Sequence, residues 1–143
     1  MTSSAKTSLL FVGTYTDKNE SEGIYTYRFD TENGSLRKLH SGPKTASPSF
    51  LAANAAGTVL YAVNETETGE VTSFTVDPAD ASLTVQSTQK SMGIHPCHII
   101  LDRAGKNVLV ANYTSGTATS LGLATDGSLK PGTTVQHRGT GPD

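Results

Sequence analysis

The sequence predicts an all-β fold, a β-propeller of about three consecutive blades, and three observations carry that prediction. First, the chain repeats itself. Pro96 follows Pro48, and Asn112 follows Asn64, by the same 48 residues. Between the two anchors of each copy lies a turn on Gly, Asn54-Ala55-Ala56-Gly57 in one and Asp102-Arg103-Ala104-Gly105 in the other. Second, each full repeat holds four short segments with the composition and alternation of strands. Third, no window of helical length carries apolar residues at a 3.6-residue spacing. Four strands in a period of 46–48 residues is the size of a propeller blade. A parallel β-helix needs a much shorter period, and a sandwich needs no self-similarity.

The first unit, blade 1, covers about 9–41. Leu9-Leu10-Phe11-Val12-Gly13 opens a strand over 9–15, and 17–22 is a charged and polar loop. Tyr25, Tyr27 and Phe29 alternate with Thr26 and Arg28 across a strand over 23–30, the period-2 pattern of a pleated segment. Asn33-Gly34 is a hairpin signal, and a more polar strand returns over 35–41. Blade 2, about 48–89, has strands near 49–54, 59–64, 69–77 and 83–89. Blade 3, about 96–137, repeats them near 98–102, 108–112, 117–124 and 129–137. Leu9 to Gly13 aligns with Leu60 to Asn64, the second strand of blade 2, so blade 1 is expected to lack its innermost strand. Three blades fall short of the four to eight of a ring. The expected whole is therefore one partial propeller over 1–143, the N-terminal part of a longer protein.

Composition narrows the function. There are 11 Lys+Arg against 13 Asp+Glu, which is no footprint for nucleic acid, and no basic helix suggests a membrane surface. The apolar run Leu9 to Val12 is too short for a signal-peptide core or a membrane span. A single cysteine, Cys97, cannot form an internal disulfide, so nothing requires an oxidising compartment and the expected location is the cytoplasm. Cys97 is expected to be a small buried residue. Asn-X-Ser/Thr sequons at Asn19, Asn33, Asn64 and Asn112 are read as turn-rich composition rather than glycan sites.

In a propeller blade, the connection into the innermost strand shares one rim with the loop from the second strand to the third. Ser47-Pro48-Ser49 and His95-Pro96-Cys97-His98 enter innermost strands, and Gly13-Thr14-Tyr15, Asn64-Glu65-Thr66 and Asn112-Tyr113-Thr114 leave second strands. Their polar residues gather at one mouth of the channel, which suits a small-molecule site. Asn64 and Asn112 occupy one repeat slot and read first as loop-tying hydrogen-bonders. Glu65 and His98 break the repeat, where Tyr113 and Phe50 stand in the other copies, so they are the candidate catalytic residues. Tyr15, Asn64, His95, Asn112 and Tyr113 are the candidate substrate-binding residues. His95 and His98 have no evident third ligand, so no metal site is assigned. There is no P-loop, dinucleotide fingerprint or Gly-x-Ser-x-Gly elbow.

Phe11-Val12-Gly13-Thr14-Tyr15-Thr16, Gly23-Ile24-Tyr25, Pro48-Ser49-Phe50-Leu51, Tyr61-Ala62-Val63-Asn64-Glu65, His95-Pro96-Cys97-His98 and Val110-Ala111-Asn112-Tyr113 stand in the order of one family. Together they resemble the seven-bladed propeller lactonases, which include bacterial 6-phosphogluconolactonases and fungal carboxymuconate lactonising enzymes. The resemblance implies a seven-bladed ring and hydrolysis of a sugar lactone, with 6-phosphogluconolactone the lead, without metal or cofactor. The family continues beyond this chain with a His-rich segment and with later Arg and Glu residues. Three alternatives stay open: a non-enzymatic binding scaffold, a carboxymuconate cyclase-type enzyme, and a calcium-dependent lactonase with Glu65, Asn64 and Asn112 as oxygen ligands. The open blade faces of the chain by itself are expected to favour self-association.

Overall fold

A computed structural model describes residues 6–18 and 20–140. The sequon at Asn19 and the terminal Gly141-Pro142-Asp143 lie outside the described residues. The described residues form eleven strands in three antiparallel sheets and no helix. The first sheet holds β1 (Thr7–Gly13), β2 (Ile24–Asp30) and β3 (Leu36–Ser41). The second holds β4 (Leu51–Ala53), β5 (Val59–Asn64), β6 (Glu70–Val76) and β7 (Leu83–Lys90). The third holds β8 (Pro96–Leu101), β9 (Asn107–Asn112), β10 (Thr117–Leu123) and β11 (Leu129–Gln136). Strands adjacent in sequence are adjacent in each sheet, so each is a simple meander. These are propeller blades, and the first has three strands. No helix among the described residues is long and apolar enough to cross a membrane.

The repeated turns form as their residues demand. Gly57 and Gly105 take φ of 68° and 63°, a left-handed conformation that costs a residue without Cβ nothing. Ahead of each, a side-chain oxygen closes the loop. Asn54 Oδ1 accepts from the amides of Thr58 and Val59, and Asp102 Oδ1 from those of Lys106 and Asn107. The Asn107 side-chain amide, which donates to Oδ2, and then the Lys106 backbone amide hold the Asp102 carboxyl below its ordinary value.

Two apolar cores lie between the blades. Phe11, Ile24 and Leu39 of the first sheet pack with Leu60, Ala62 and Phe74 of the second. Tyr61, Val63 and Val71 then pack on Ile99, Val108 and Val110 of the third. The burial of the second strands shows the stacking. All six residues of β5 are buried, because both faces of that sheet are covered. β9 alternates, with Val108 and Val110 buried but Leu109 41% exposed, because one face has no neighbour. Tyr61 locks the second interface further, its hydroxyl donating to the Gly127 carbonyl at 2.9 Å.

Four local expectations change. β4 is shorter than predicted, and β8 starts two residues early, at Pro96. Cys97 is half-exposed rather than buried. The alignment of β1 is shifted by one. Phe11 points into the interface with the second blade, as Tyr61 points into the next one, so Phe11 rather than Leu10 shares the Tyr61 slot. A one-residue slip exchanges the two faces of a strand. Leu10 and Val12 therefore lie on the outer face with their partners Tyr27 and Tyr25.

Candidate active site

The rim is built by one backbone device used twice. Ser47 and His95 occupy the same repeat slot, and both take positive φ, 39° and 52°. Each precedes a fully buried proline, Pro48 or Pro96. A non-glycine residue held there carries strain on the order of 1–3 kcal/mol, so its surroundings must over-determine it. They do so through matching hydrogen bonds. The Glu65 amide donates to the Ser47 carbonyl at 3.0 Å, and the Tyr113 amide to the His95 carbonyl at 2.9 Å. The loop entering each inner strand is thus bound to the loop leaving the second strand.

Below that seam lie Asn64 and Asn112, 4% and 2% exposed. Asn64 Nδ2 donates to Thr45 Oγ1 and to the Ala46 carbonyl, while its Oδ1 accepts from Thr72 at 2.8 Å. Asn112 Nδ2 donates to the Ser91 carbonyl and to Thr117 and Thr119. Both amide nitrogens are committed to fastening loops, as their shared slot suggests, whereas Asn112 Oδ1 is buried with no hydrogen-bond partner among the described residues. Neither side chain lines the rim cleft, so the structure does not bring them together with the other expected substrate-binding residues.

Above the seam, Glu65 is half-buried. Its Oε2 accepts two hydroxyl bonds, one from Tyr15 at 3.0 Å and one from Ser49. The Tyr15 hydroxyl is held above its ordinary pKa of 10.0, first by the hydrogen bond to Glu65, then by burial and by repulsion from the same carboxylate. His95 Nδ1 lies 2.8 Å from Thr114 Oγ1, within hydrogen-bond distance. Tyr113 projects from the rim, 79% exposed. Tyr15, Asp17, Glu65, His95, Tyr113 and Thr114 line one cleft of about 380 Å³. That volume lies within the range of small-molecule sites. Four predicted residues therefore meet: Tyr15, Glu65, His95 and Tyr113.

His98 does not join them. Its ring packs on Phe50, its counterpart one repeat earlier, with centroids 4.4 Å apart. It lines a separate hollow of about 350 Å³ on the open face of the third blade, among Ile100, Leu109 and Val135. That hollow is mostly apolar, with His98, Thr119, Ser120 and Thr133 as its polar lining, whereas the rim cleft gathers a carboxylate, an imidazole and two phenols, so the rim cleft is the better site. The displacement has a cause. The pairing of β8 with β9 shifts between Pro96 and His98, and such a bulge re-aims the side chains that follow it. Ser49 was not among the expected site residues, although Ser47-Pro48-Ser49 was placed on this rim; a hydroxyl entering the inner strand opposite a carboxylate was the available signal. Among the described residues no three His, Cys, Asp or Glu side chains cluster to hold a metal.

The Tyr15–Glu65 bond makes a measurable prediction. Glu65→Gln removes the charge, so the Tyr15 pKa is expected to fall back toward 10.0. A residue-resolved tyrosine NMR titration reads it; an unchanged Tyr15 would mean the pair does not form in solution. The sign of the linkage follows. The folded chain holds the Tyr15 proton more tightly than the unfolded one. Any stability from the pair is full below the unfolded value and is lost as pH rises through the higher folded value.

Consecutive meander blades that carry a polar cleft on one rim define part of a β-propeller with a candidate site on its loops. The chain belongs to the lactonase family of seven-bladed β-propellers, whose pattern it matches over residues 9–143. It is 37% identical over 134 residues to the 6-phosphogluconolactonase of Bacillus subtilis (strain 168), covering 92% of this chain and 38% of that protein. It is 31% identical over 124 residues to the 6-phosphogluconolactonase of Formosa agariphila, covering 85% and 35%. Among solved structures, the periplasmic gluconolactonase of Pseudomonas aeruginosa superposes with a TM-score of 0.80 at 36% identity, covering 87% of this chain and 38% of that one. A crystal structure from Bacteroides fragilis NCTC 9343 gives 0.89 at 37% identity, covering 96% and 38%. The chain thus spans well under half the length of these relatives.

Proposed function

We propose that this chain forms one part of the site of a sugar-lactone hydrolase, with 6-phosphogluconolactone as the lead substrate. The observation that carries the proposal is the Glu65 carboxylate, held at the rim through one oxygen by Tyr15 and Ser49. That arrangement leaves Oε1 to act on a water. Glu65 takes a proton from the water as its oxygen attacks the lactone carbonyl carbon. The tetrahedral oxyanion needs hydrogen-bond donors, and the exposed hydroxyl of Tyr113 and the ring of His95 are among the cleft groups that can donate. The intermediate collapses with cleavage of the ring C–O bond. The ring oxygen leaves as the alcohol, taking from Glu65 the proton it removed from the water, and the product is the open-chain acid.

The cleft is incomplete for a phosphorylated substrate. Asp17 and Glu65 line it, and no Lys or Arg does so among the described residues. A phosphate group calls for such a cation. The 143-residue chain by itself is therefore expected to consume 6-phosphogluconolactone no faster than the spontaneous rate; clear turnover would show that these blades suffice. Joining residues 9–137 to the remaining blades of the Bacillus subtilis relative tests the proposal itself. Lactone hydrolysis by that chimera is the expected result. A folded chimera that opens no sugar lactone would overturn the assignment.

A further inference from the structure

An imidazole can donate to a lactone oxyanion only from a ring nitrogen that carries a proton. Neutral histidine has one such nitrogen, and the hydrogen bond made by the other decides which it is. The ring of His95 has one hydrogen-bond partner among the described residues, Thr114 Oγ1 at 2.8 Å from Nδ1. We propose that Thr114 is a positioning residue: its hydroxyl donates to His95 Nδ1 and so fixes the ring proton on Nε2, the nitrogen left to the cleft. The use made of that proton rests on the hydrolase reading above.

The backbone of His95 leaves its ring little freedom. The His95 amide donates to the Thr66 carbonyl at 3.0 Å, its carbonyl accepts from the Tyr113 amide at 2.9 Å, and its φ is 52°. Rotation of the ring plane is a broad, roughly two-fold torsion, and the Thr114 contact selects one setting of it. Both residues stand on rim loops of the third blade, and the Thr66 bond seats His95 on the second. The contact therefore involves neither open face of the stack.

A threonine hydroxyl can donate or accept, so the surroundings choose the direction. Asp17 and Glu65 line the same cleft, and no Lys or Arg does so among the described residues. Polar groups orient in such a field, and a ring N–H facing two carboxylates is favoured over a lone pair. With the proton on Nε2, Nδ1 is an acceptor and the hydroxyl donates to it.

The repeat shows that this hydroxyl is spare. Thr16, Thr66 and Thr114 follow Tyr15, Glu65 and Tyr113. In the first two blades the hydroxyl serves the loops: Thr16 Oγ1 accepts from the Ser47 amide at 2.9 Å, and Thr66 Oγ1 lies 3.0 Å from Thr68 Oγ1. In the third blade other bonds close the loops. The Thr114 amide donates to the Ile94 carbonyl at 3.2 Å, and the Ile94 amide donates to Ser115 Oγ at 3.0 Å. The Thr114 hydroxyl is left to the imidazole and can be removed without unfastening the rim.

Nitrogen NMR of the imidazoles, taken on the 143-residue chain at a pH where histidine is neutral, reads the tautomer. His95 is expected to show a proton fixed on Nε2. Thr114→Val should return the ring to the tautomer mixture of a free imidazole, and Thr114→Ser, which keeps the hydroxyl, should retain the wild-type pattern. A proton on Nδ1 in the wild-type chain would overturn the proposal, and that result needs no variant to fold. So would nitrogen shifts that the valine leaves unchanged. In the ring completed by the Bacillus subtilis blades, Thr114→Val is expected to lower kcat for lactone opening about 10-fold with KM unchanged, the low end of what the partner of a functional histidine contributes. Thr114→Ser should restore it. A loss carried by KM alone, or one that serine does not repair, would take Thr114 out of the reaction. A folded wild-type chimera that opens no sugar lactone, with the nitrogen pattern as expected, would overturn the hydrolase reading and not the hold of Thr114 on the ring.

Discussion

Phe74→Ala is expected to destabilise the chain by about 3–5 kcal/mol, the usual loss when a buried aromatic is truncated. Phe74 is 0% exposed and lies at the centre of the interface between the first two blades, with Ile24, Leu60 and Ala62 around it. The first blade has three strands and one covered face, so little else holds it to the second. A domain of this size has total stability on the order of 5–15 kcal/mol, and the substitution removes a large share. Denaturant unfolding with and without the substitution measures it. Phe50→Ala is the control. Phe50 is 39% exposed and contacts the ring of His98, so its loss is expected to cost about 1 kcal/mol. Equal effects for the two would show that the interblade core does not carry the stability assigned to it.

Glu65→Gln, introduced into the ring completed by the Bacillus subtilis blades, is expected to lower the rate of lactone opening at least about 100-fold, the lower end for loss of a general base. Glutamine keeps an acceptor for Tyr15 and Ser49, so the geometry of the rim should persist while the proton acceptor is lost. The fall belongs in kcat, with the thermal transition unchanged. Activity retained within a few-fold would remove Glu65 from the base role. It would move attention to the carboxylates and histidines of the later blades.

The fold was legible because a repeat reports itself. Pro48 with Pro96, Asn64 with Asn112 and the two glycine turns each mark a position that the backbone uses identically in two blades. Where the repeat is imperfect, sequence comparison loses its footing. β1 has no inner strand beside it, and Gly13 stands where a Cβ would come within 1.9 Å of the Pro48 carbonyl oxygen. Matching that glycine to Asn64 gave an offset one residue too long. The site was half legible for a related reason. Loop positions Tyr15, Glu65, His95 and Tyr113 follow from topology, since antiparallel strands bring alternate connections to one rim. His98 was chosen because it breaks the repeat, but a broken repeat does not say which face a residue takes, and His98 sits beyond a bulge. Ser49 escaped notice because hydroxyls in β-rich chains are common, and only the carboxylate opposite gives this one a task.

The seam of carbonyl and amide that joins Ser47 to Glu65 and His95 to Tyr113 uses main-chain atoms alone. One blade carries serine and glutamate at its two ends, and the next carries histidine and tyrosine. The fastening is indifferent to what projects from it. Each blade therefore offers two sockets whose occupants can be exchanged without refitting the frame, provided the incoming residue tolerates a left-handed backbone at the first. A carboxylate, an imidazole or a phenol can be set into any of these sockets around the rim. Chemistry and architecture are in this sense written on separate atoms, and new reactivity could be engineered here by side-chain replacement at little structural cost.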